Sequence, residues 1–196
     1  MPKKVDHDER RNHLAEAAWR IIRRDGLEAV SVRNVAREAG MSLGSLRHYF
    51  ASQSELLAFS MRLVSERSYQ RVEVFQYSGN PREDVERLIH ELMPIDEERR
   101  AEAEVWLAFV GRAAADPAIQ ALKQEVHNGL YSGFCQMMEY LDAVNLLRQD
   151  LDLDREIKTL HALVDGLVVH SVIYPEMVTP EDMIMLISSH FDKLMA

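Results

Sequence analysis

The chain has 196 residues, 47% of them apolar and only 8 Gly and 6 Pro, so it can bury a sizeable core in long helices joined by few turns. Its lone cysteine, Cys135, excludes an internal disulfide, and the opening Met1-Pro-Lys-Lys-Val-Asp-His-Asp-Glu-Arg lacks the apolar stretch of a secretory leader, so a cytoplasmic location is expected. The net charge of −9 argues against nucleic acid as a whole, but Lys3, Lys4, Arg10, Arg11, Arg20, Arg23, Arg24, Arg33, Arg37 and Arg47 make residues 1–53 net basic and leave the rest strongly acidic, as suits a chain of which one end meets DNA.

In chain order, Leu14, Ala17, Ala18, Ile21 and Ile22 recur at helical spacing, which predicts a helix over 8–25 that stops at Gly26. Ser31 is a good cap for a second helix, 32–39, whose stripe is Val32, Val35, Ala36 and Ala39. Gly40 ends it, and Ser42 caps a third, 43–49, with Leu46, Tyr49 and Phe50 turned inward. Ser52 or Ser54 opens a long fourth helix that runs to about Tyr77, before the break Ser78-Gly79-Asn80-Pro81. Further helices are expected at Asp84–Met93, Glu97–Ala115 and from Pro117 to about Asn145. Another runs from a cap at Asp152 or Asp154 to Tyr174, and the last opens at Thr179-Pro180-Glu181-Asp182. No alternating strand pattern is present. The longest run free of acidic and basic side chains, 126–138, falls well short of the roughly 20 residues a membrane helix needs, so no membrane association is expected.

The second and third helices, with the turn Ala39-Gly40-Met41-Ser42, have the proportions of a helix-turn-helix. Gly40 tolerates positive φ, Ala36 permits a close crossing, and Leu43, Gly44, Ser45, Arg47 and His48 are left to face outward, on a helix that fits the major groove. The stretch from Gly26 to Phe50, continued by Ser52-Gln53-Ser54-Glu55-Leu56-Leu57, resembles the DNA-binding signature of the TetR repressor family, ungapped over about residues 10–60. More loosely, Glu104-Val105-Trp106-Leu107-Ala108-Phe109 and Ala162-Leu163-Val164-Asp165-Gly166-Leu167 resemble the BetI-like subgroup.

The resemblance implies an all-α fold of about nine helices. A helix-turn-helix head (1–53) carries a ligand-binding and dimerisation body (54–196). It implies base contacts by Arg33, Gly44, Ser45 and Arg47 and phosphate contacts by Ser31, Ser42, His48 and Tyr49. It differs at two positions. The family usually carries an aromatic where Arg47 stands, so this guanidinium reads another base or grips the backbone. It usually carries Lys where Gln53 stands, so a common phosphate charge is missing. Arg20, Arg23, Arg24 and Arg37 read as a solvated face.

For the body, the resemblance implies a pocket lined from Met61, Leu88, Trp106, Phe109, His127, Tyr131, Phe134, Met138 and His170. Gly129 and Gly133 leave room for a close neighbour or a ligand. The helix ending at Tyr174 is apolar nearly all round, which calls for cover beyond its own chain. Leu163 and Leu167, with Ile184, Ile187 and Phe191 of the last helix, are therefore expected at a homodimer interface. The function implied is a repressor that binds a double-stranded, pseudo-palindromic operator as a dimer and is released by a small-molecule effector, with the fourth helix as lever. A regulator without an effector, or an activator, is the alternative. No cofactor is expected, nor any catalytic or metal site: none of the eight histidines follows a Glu at the Glu-x-x-His spacing of helical di-iron proteins, and Cys135 has no CxxC partner.

Overall fold

The computed structural model describes residues 7–112 and 117–196. Among these residues the chain forms nine α-helices: α1 (His7–Asp25), α2 (Val32–Glu38), α3 (Leu43–Arg47), α4 (Gln53–Glu73), α5 (Pro81–His90), α6 (Glu97–Arg112), α7 (Pro117–Ala143), α8 (Leu153–Ile173) and α9 (Pro180–Leu194). The all-α expectation holds; the described residues form no strand, only an isolated bridge between Leu147 and Met195. The helix end expected at Ala115, the break at Asp116, and Lys3 and Lys4 lie outside the described residues. No helix of the described residues is long and apolar enough to cross a membrane.

Several boundaries differ from expectation: α3 ends at Arg47 rather than 49 and α5 at His90 rather than Met93, and three further differences have local reasons. A single 3₁₀ turn, Leu27–Ala29, follows α1. The fourth helix stops at Glu73, where Val72, Val74, Phe75 and Tyr77 concentrate β-branched and aromatic residues that lose rotamer freedom in a helix. The fifth starts three residues early, because Asn80 caps it and Pro81 occupies its first position, where a missing N–H costs nothing. The carboxylate of Asp84 then turns back to accept the N–H groups of Ser78 (2.7 Å) and Gly79 (3.2 Å). At the other end of the chain, Thr179 and Asp182 form the expected cap in full, each side chain accepting the other's backbone N–H.

The described chain divides into two compact units. One comprises the residues up to 67 with 104–124, and the other 68–103 with 125–196, so that α4, α6 and α7 contribute to both. In the first unit the predicted stripe of α1 is wholly buried, with Val35 and Ala36 of α2, Leu46 and Phe50. Trp19, unremarked in the periodicity, is buried too and donates its indole N–H to the carbonyl of Ser60 on α4 at 3.0 Å.

In the second unit Val85 and Ile89 of α5, Phe134, Met138 and Leu141 of α7, Leu160, Val164 and Leu167 of α8, and Met183, Ile187 and Phe191 of α9 share one core. Arg82 ties α5 to α9 through the Ser188 carbonyl (3.2 Å) and Asp192 (2.6 Å). A half-buried ionic network around the buried Glu102 joins three helices. Arg71 of α4 makes paired hydrogen bonds to Glu102 of α6 (3.0 and 2.8 Å). It also faces Glu91, which Arg99 of α6 meets at 3.0 Å. The two guanidiniums donate to the carbonyls of Glu91 and His90, so cations cover the C-terminal end of α5. Gly129 and Gly133 part company: a Cβ on Gly129 would stand 2.5 Å from the Tyr69 hydroxyl of α4, whereas one on Gly133 would meet nothing within 4 Å.

Candidate nucleic-acid interface and body surfaces

The geometry of the α2–α3 pair follows from short-range chemistry. The Ser31 hydroxyl accepts the Asn34 N–H at 3.1 Å, and the Asn34 amide reaches back to the Ala29 carbonyl at 2.8 Å, fixing the start of α2. At its end Gly40 takes φ +65°, the Gly40 N–H bonds the Arg37 carbonyl (3.1 Å) and the Met41 N–H bonds that of Ala36 (2.8 Å). These are the paired bonds of a Schellman stop, and they need the left-handed residue that glycine supplies. Nε2–H of His13, on α1, donates to the Ala39 carbonyl at 3.2 Å, which pins the turn to the first helix. Ser42 then opens α3 by accepting the Ser45 N–H at 3.0 Å, with the two hydroxyls 2.8 Å apart.

One face of this pair is buried through Val35, Ala36, Leu46 and Phe50. Opposite, Arg33, Ser42, Gly44, Arg47 and His48 are exposed, while Ser31, Leu43, Ser45 and Tyr49 are half-buried. The ring of Tyr49 lies 4.8 Å from that of His7. Ser31 and Ser42 thus already serve as caps, and the Ser45 hydroxyl leans on that of Ser42, each keeping hydroxyl capacity for another partner. Leu43 turns further inward than its place in the outward set implied.

The cations of the first unit sort into two groups. Arg20 and Arg24 both pair with Glu38, at 3.1 and 3.2 Å, and Arg23 pairs with Glu104 at 2.6 Å. Hydrogen bonds from Arg20, then Arg24, hold the Glu38 carboxyl below the usual carboxylate range. Arg37 leans on Asn34 at 3.4 Å. Arg33 and Arg47, by contrast, have no ion-pair partner among the described residues, nor do Arg10 of α1 and Arg62 of α4. Gly44 has ordinary φ, and a Cβ there would meet only the Ser42 hydroxyl, at 3.9 Å. Nothing inside the fold requires glycine at that exposed helical position, where it costs up to about 1 kcal/mol against alanine. Gln53 has an internal use: its amide donates to the Val30 carbonyl at 2.5 Å, holding the first turn of α4 to the segment ahead of α2.

The expected effector residues fall in both units. Met61, Trp106 and Phe109 belong to the first, where Met61 and Phe109 are fully buried and Trp106 is half-buried. In the second, Phe134 and Met138 are core, Leu88 is half-buried, and His170 is exposed with its ring edge-on to Tyr174 at 6.2 Å. Three of the set come together around a residue the sequence pattern missed. His161 of α8, 7% exposed, has the rings of His127 at 5.2 Å, Phe134 at 5.0 Å and Tyr131 at 5.9 Å. Burial pushes the His161 imidazole below its ordinary pKa; Asp165, 3.5 Å away, opposes that shift and His127 adds to it. Only the pairing of α7 with α8 brings these rings together, so local periodicity carries no sign of the cluster.

The expected dimer residues need correction. Ile187 and Phe191 are 0% exposed within the single chain and Leu167 only 6%, so they are spent on the unit's own core and have almost no surface left for a partner. Leu163 is half-buried and Ile184 is 39% exposed. The exposed apolar positions here are Ala162 and Ile173 of α8, which share one face with the half-buried Gly166 and Val169, together with Ile184, as expected, and Met185 and Leu186 of α9.

Comparison with known proteins agrees with this geometry. Residues 14–59 match the family model for bacterial regulatory proteins of the tetR family, and residues 81–196 match that for the BetI-type transcriptional repressor C-terminal region. The HTH-type transcriptional regulator PksA of Bacillus subtilis is 41% identical over 99% of this chain and 94% of its own length. BetI 2 of Chromohalobacter salexigens is 27% identical over 100% and 93%. Among solved structures, a transcriptional regulator from Rhodococcus superposes with a TM-score of 0.81 at 26% identity, covering 94% of this chain and 95% of that one. A putative regulator from Saccharomonospora viridis, solved in complex with choline, gives 0.82 at 23%, covering 96% and 99%. The capped helix pair with its exposed arginines, the all-helical remainder of the described chain and these matches across both parts of the chain lead to one assignment: it belongs to the TetR family of DNA-binding transcriptional regulators, with a BetI-type C-terminal region.

Proposed function

We propose that the chain is a sequence-specific repressor that binds a pseudo-palindromic operator as a homodimer and leaves it when a small molecule binds the body. The observation that carries this reading is the exposed α2–α3 face, on which Arg33 and Arg47 have no carboxylate partner among the described residues, while Arg20, Arg23 and Arg24 of α1 are tied to Glu38 and Glu104. A guanidinium so placed can give a guanine two hydrogen bonds, and Ser31, Ser42, Ser45, His48 and Tyr49 stand beside it for phosphates or base edges. The unexplained Gly44 fits the same purpose, since a bare helix surface lets a base or sugar approach closely.

A homodimer is supported by the partly exposed stripe Ala162, Gly166, Val169 and Ile173. Small residues there permit close helix contact, and Leu163 and Ile184 stand alongside. Two heads would then read half-sites about 34 Å, or a multiple of that, apart. The choline-bound relative supports a small-molecule effector for this one. We place the effector in the body, 54–196, and α4 as the element through which it shifts the population away from DNA-competent dimers. Crosslinking the two heads at operator spacing then abolishes induction.

The direct test begins with a duplex selected by the purified protein from a random pool. Arg47→Ala is expected to weaken binding to it by about 1–3 kcal/mol and to relax base preference at one position per half-site, with no change in thermal stability. Unchanged affinity and preference would remove Arg47 from the reading surface. Gly44→Ala makes an opposite pair of demands: the free protein becomes more stable by up to about 1 kcal/mol, through helix propensity, while operator affinity falls. If both quantities move together, the bare position has no part in DNA contact.

A further inference from the structure

Arg11 of α1 stands where three elements meet. Its guanidinium carbon is 4.9 Å from the centre of the Phe50 ring and 4.3 Å from that of Phe59. The two rings are 5.4 Å apart and inclined at 52°. Phe50 closes the turn that follows α3, with its N–H bonded to the Leu46 carbonyl at 3.1 Å, and Phe59 lies on α4. Glu55, also on α4, completes the junction. One of its oxygens is 4.0 Å from the Arg11 guanidinium, and the other accepts the Ala51 N–H at 2.8 Å.

This is an expensive way to fill space. The Arg11 Nε is buried and has no hydrogen-bond partner among the described residues, and an orphaned buried donor weighs against folding. A methionine would reach the same volume without that penalty. A flat cation does something an aliphatic chain does not: it is attracted to both ring faces at once and so fixes their separation and tilt. The other paired arginines of α1, Arg20, Arg23 and Arg24, are tied to carboxylates rather than rings.

We propose that Arg11 is a positioning residue for DNA reading: it clamps Phe50 to Phe59, sets the direction in which α3 leaves α4, and thereby aims Arg47 without touching DNA itself. This rests on α3 being the reading helix, as argued under Proposed function. The clamp gives α3, only five residues long, an orientation that its own hydrogen bonds are too few to fix.

The test uses the full-length protein, the duplex it selects from a random pool and a scrambled duplex of equal length. Arg11→Met keeps the bulk and loses the charge; Arg11→Lys keeps the charge and loses the plane. Both are measured alone and with Phe59→Leu, by fluorescence anisotropy over a range of salt, beside thermal melting. Each single variant is expected to lose about tenfold in affinity for the selected duplex, the scale of a partly buried cation–ring pair. Affinity for the scrambled duplex, the salt slope and the melting midpoint stay as in the parent. In the Phe59→Leu background the loss shrinks to under about threefold, because the partner ring is gone. Equal loss on both duplexes, with a salt slope shallower by about one, would make Arg11 a phosphate contact and overturn the clamp. So would full rescue by lysine, an absence of loss, or a loss that tracks a fall in melting temperature. Should the parent protein select no duplex, the reading of α3 itself fails and takes the clamp with it; a parent that binds beside unaffected variants sinks the clamp alone.

Discussion

Glu102→Ala is expected to lower the free energy of unfolding by up to about 3–5 kcal/mol, the cost of stranding one member of a fully buried ion pair, less what the partial exposure of Arg71 returns. Glu102 is only 5% exposed and takes both terminal nitrogens of Arg71. Burial alone would pull the Arg71 pKa down. The hydrogen bonds and charge of Glu102, with the charges of Glu91 and Glu98, more than reverse that, and the guanidinium stays charged. With Glu102 removed, Arg71 keeps Glu91, but Glu91 is already shared with Arg99. The remaining pairing therefore offsets part of the loss and not all of it. A double variant, Arg71→Met with Glu102→Leu, should recover most of the lost stability, because both desolvated charges disappear together. Urea denaturation of the parent, the single and the double variant checks this. A single variant within about 1 kcal/mol of the parent would mean that water reaches the pair and that it does little to join α4 to α6.

The contrast between that network and the α2–α3 pair shows which features a sequence exposes. The caps at Ser31, Ser42 and Thr179 and the stop at Gly40 act over three to five residues, so residue type and spacing suffice to read them. The buried stripe of α1 was legible for the same reason. Bonds from Trp19 to Ser60, from Arg71 to Glu102 and from Gln53 to Val30 span 41, 31 and 23 positions, and periodicity carries no trace of them.

The apolar face of α9 illustrates a different limit. Ile187 and Phe191 have the spacing of a buried surface, but spacing does not say whether the cover is the chain's own α8 or a second subunit. Nor does counting charges reveal which are spent. Three arginines of the basic head, Arg20, Arg23 and Arg24, are committed to Glu38 and Glu104, while Arg33 and Arg47 of the α2–α3 pair have no carboxylate partner among the described residues. His161 escaped notice because a histidine on an apolar stripe resembles any other until the facing helix brings His127, Tyr131 and Phe134 up to it.

Trp19→Ala is the second large effect expected, again about 3–5 kcal/mol, and it falls in the unit that holds the α2–α3 pair. The indole is 5% exposed, and its N–H bonds the Ser60 carbonyl. The Arg67 guanidinium lies 4.8 Å from the ring centre while pairing with Glu16 of α1. Ser60 is itself fully buried and returns its hydroxyl to the Leu56 carbonyl, so its polar atoms have no route to water. Truncation to alanine removes a large buried ring and its bond to α4, leaves a cavity and deprives Arg67 of its ring. Trp19→Phe separates these terms. It keeps most of the packing and loses the hydrogen bond, for an expected cost of about 1–2 kcal/mol. Trp106 remains as the fluorescent reporter in both variants, so chemical unfolding can be followed in each. Because Trp19 is buried away from the exposed face of α2 and α3, Trp19→Phe should leave base preference intact even where affinity falls. Arg47→Ala should do the reverse, altering preference while stability holds. If Trp19→Phe changed which bases are preferred, scaffold and reading surface would be one mechanical element in this unit, and the separation between them would fail.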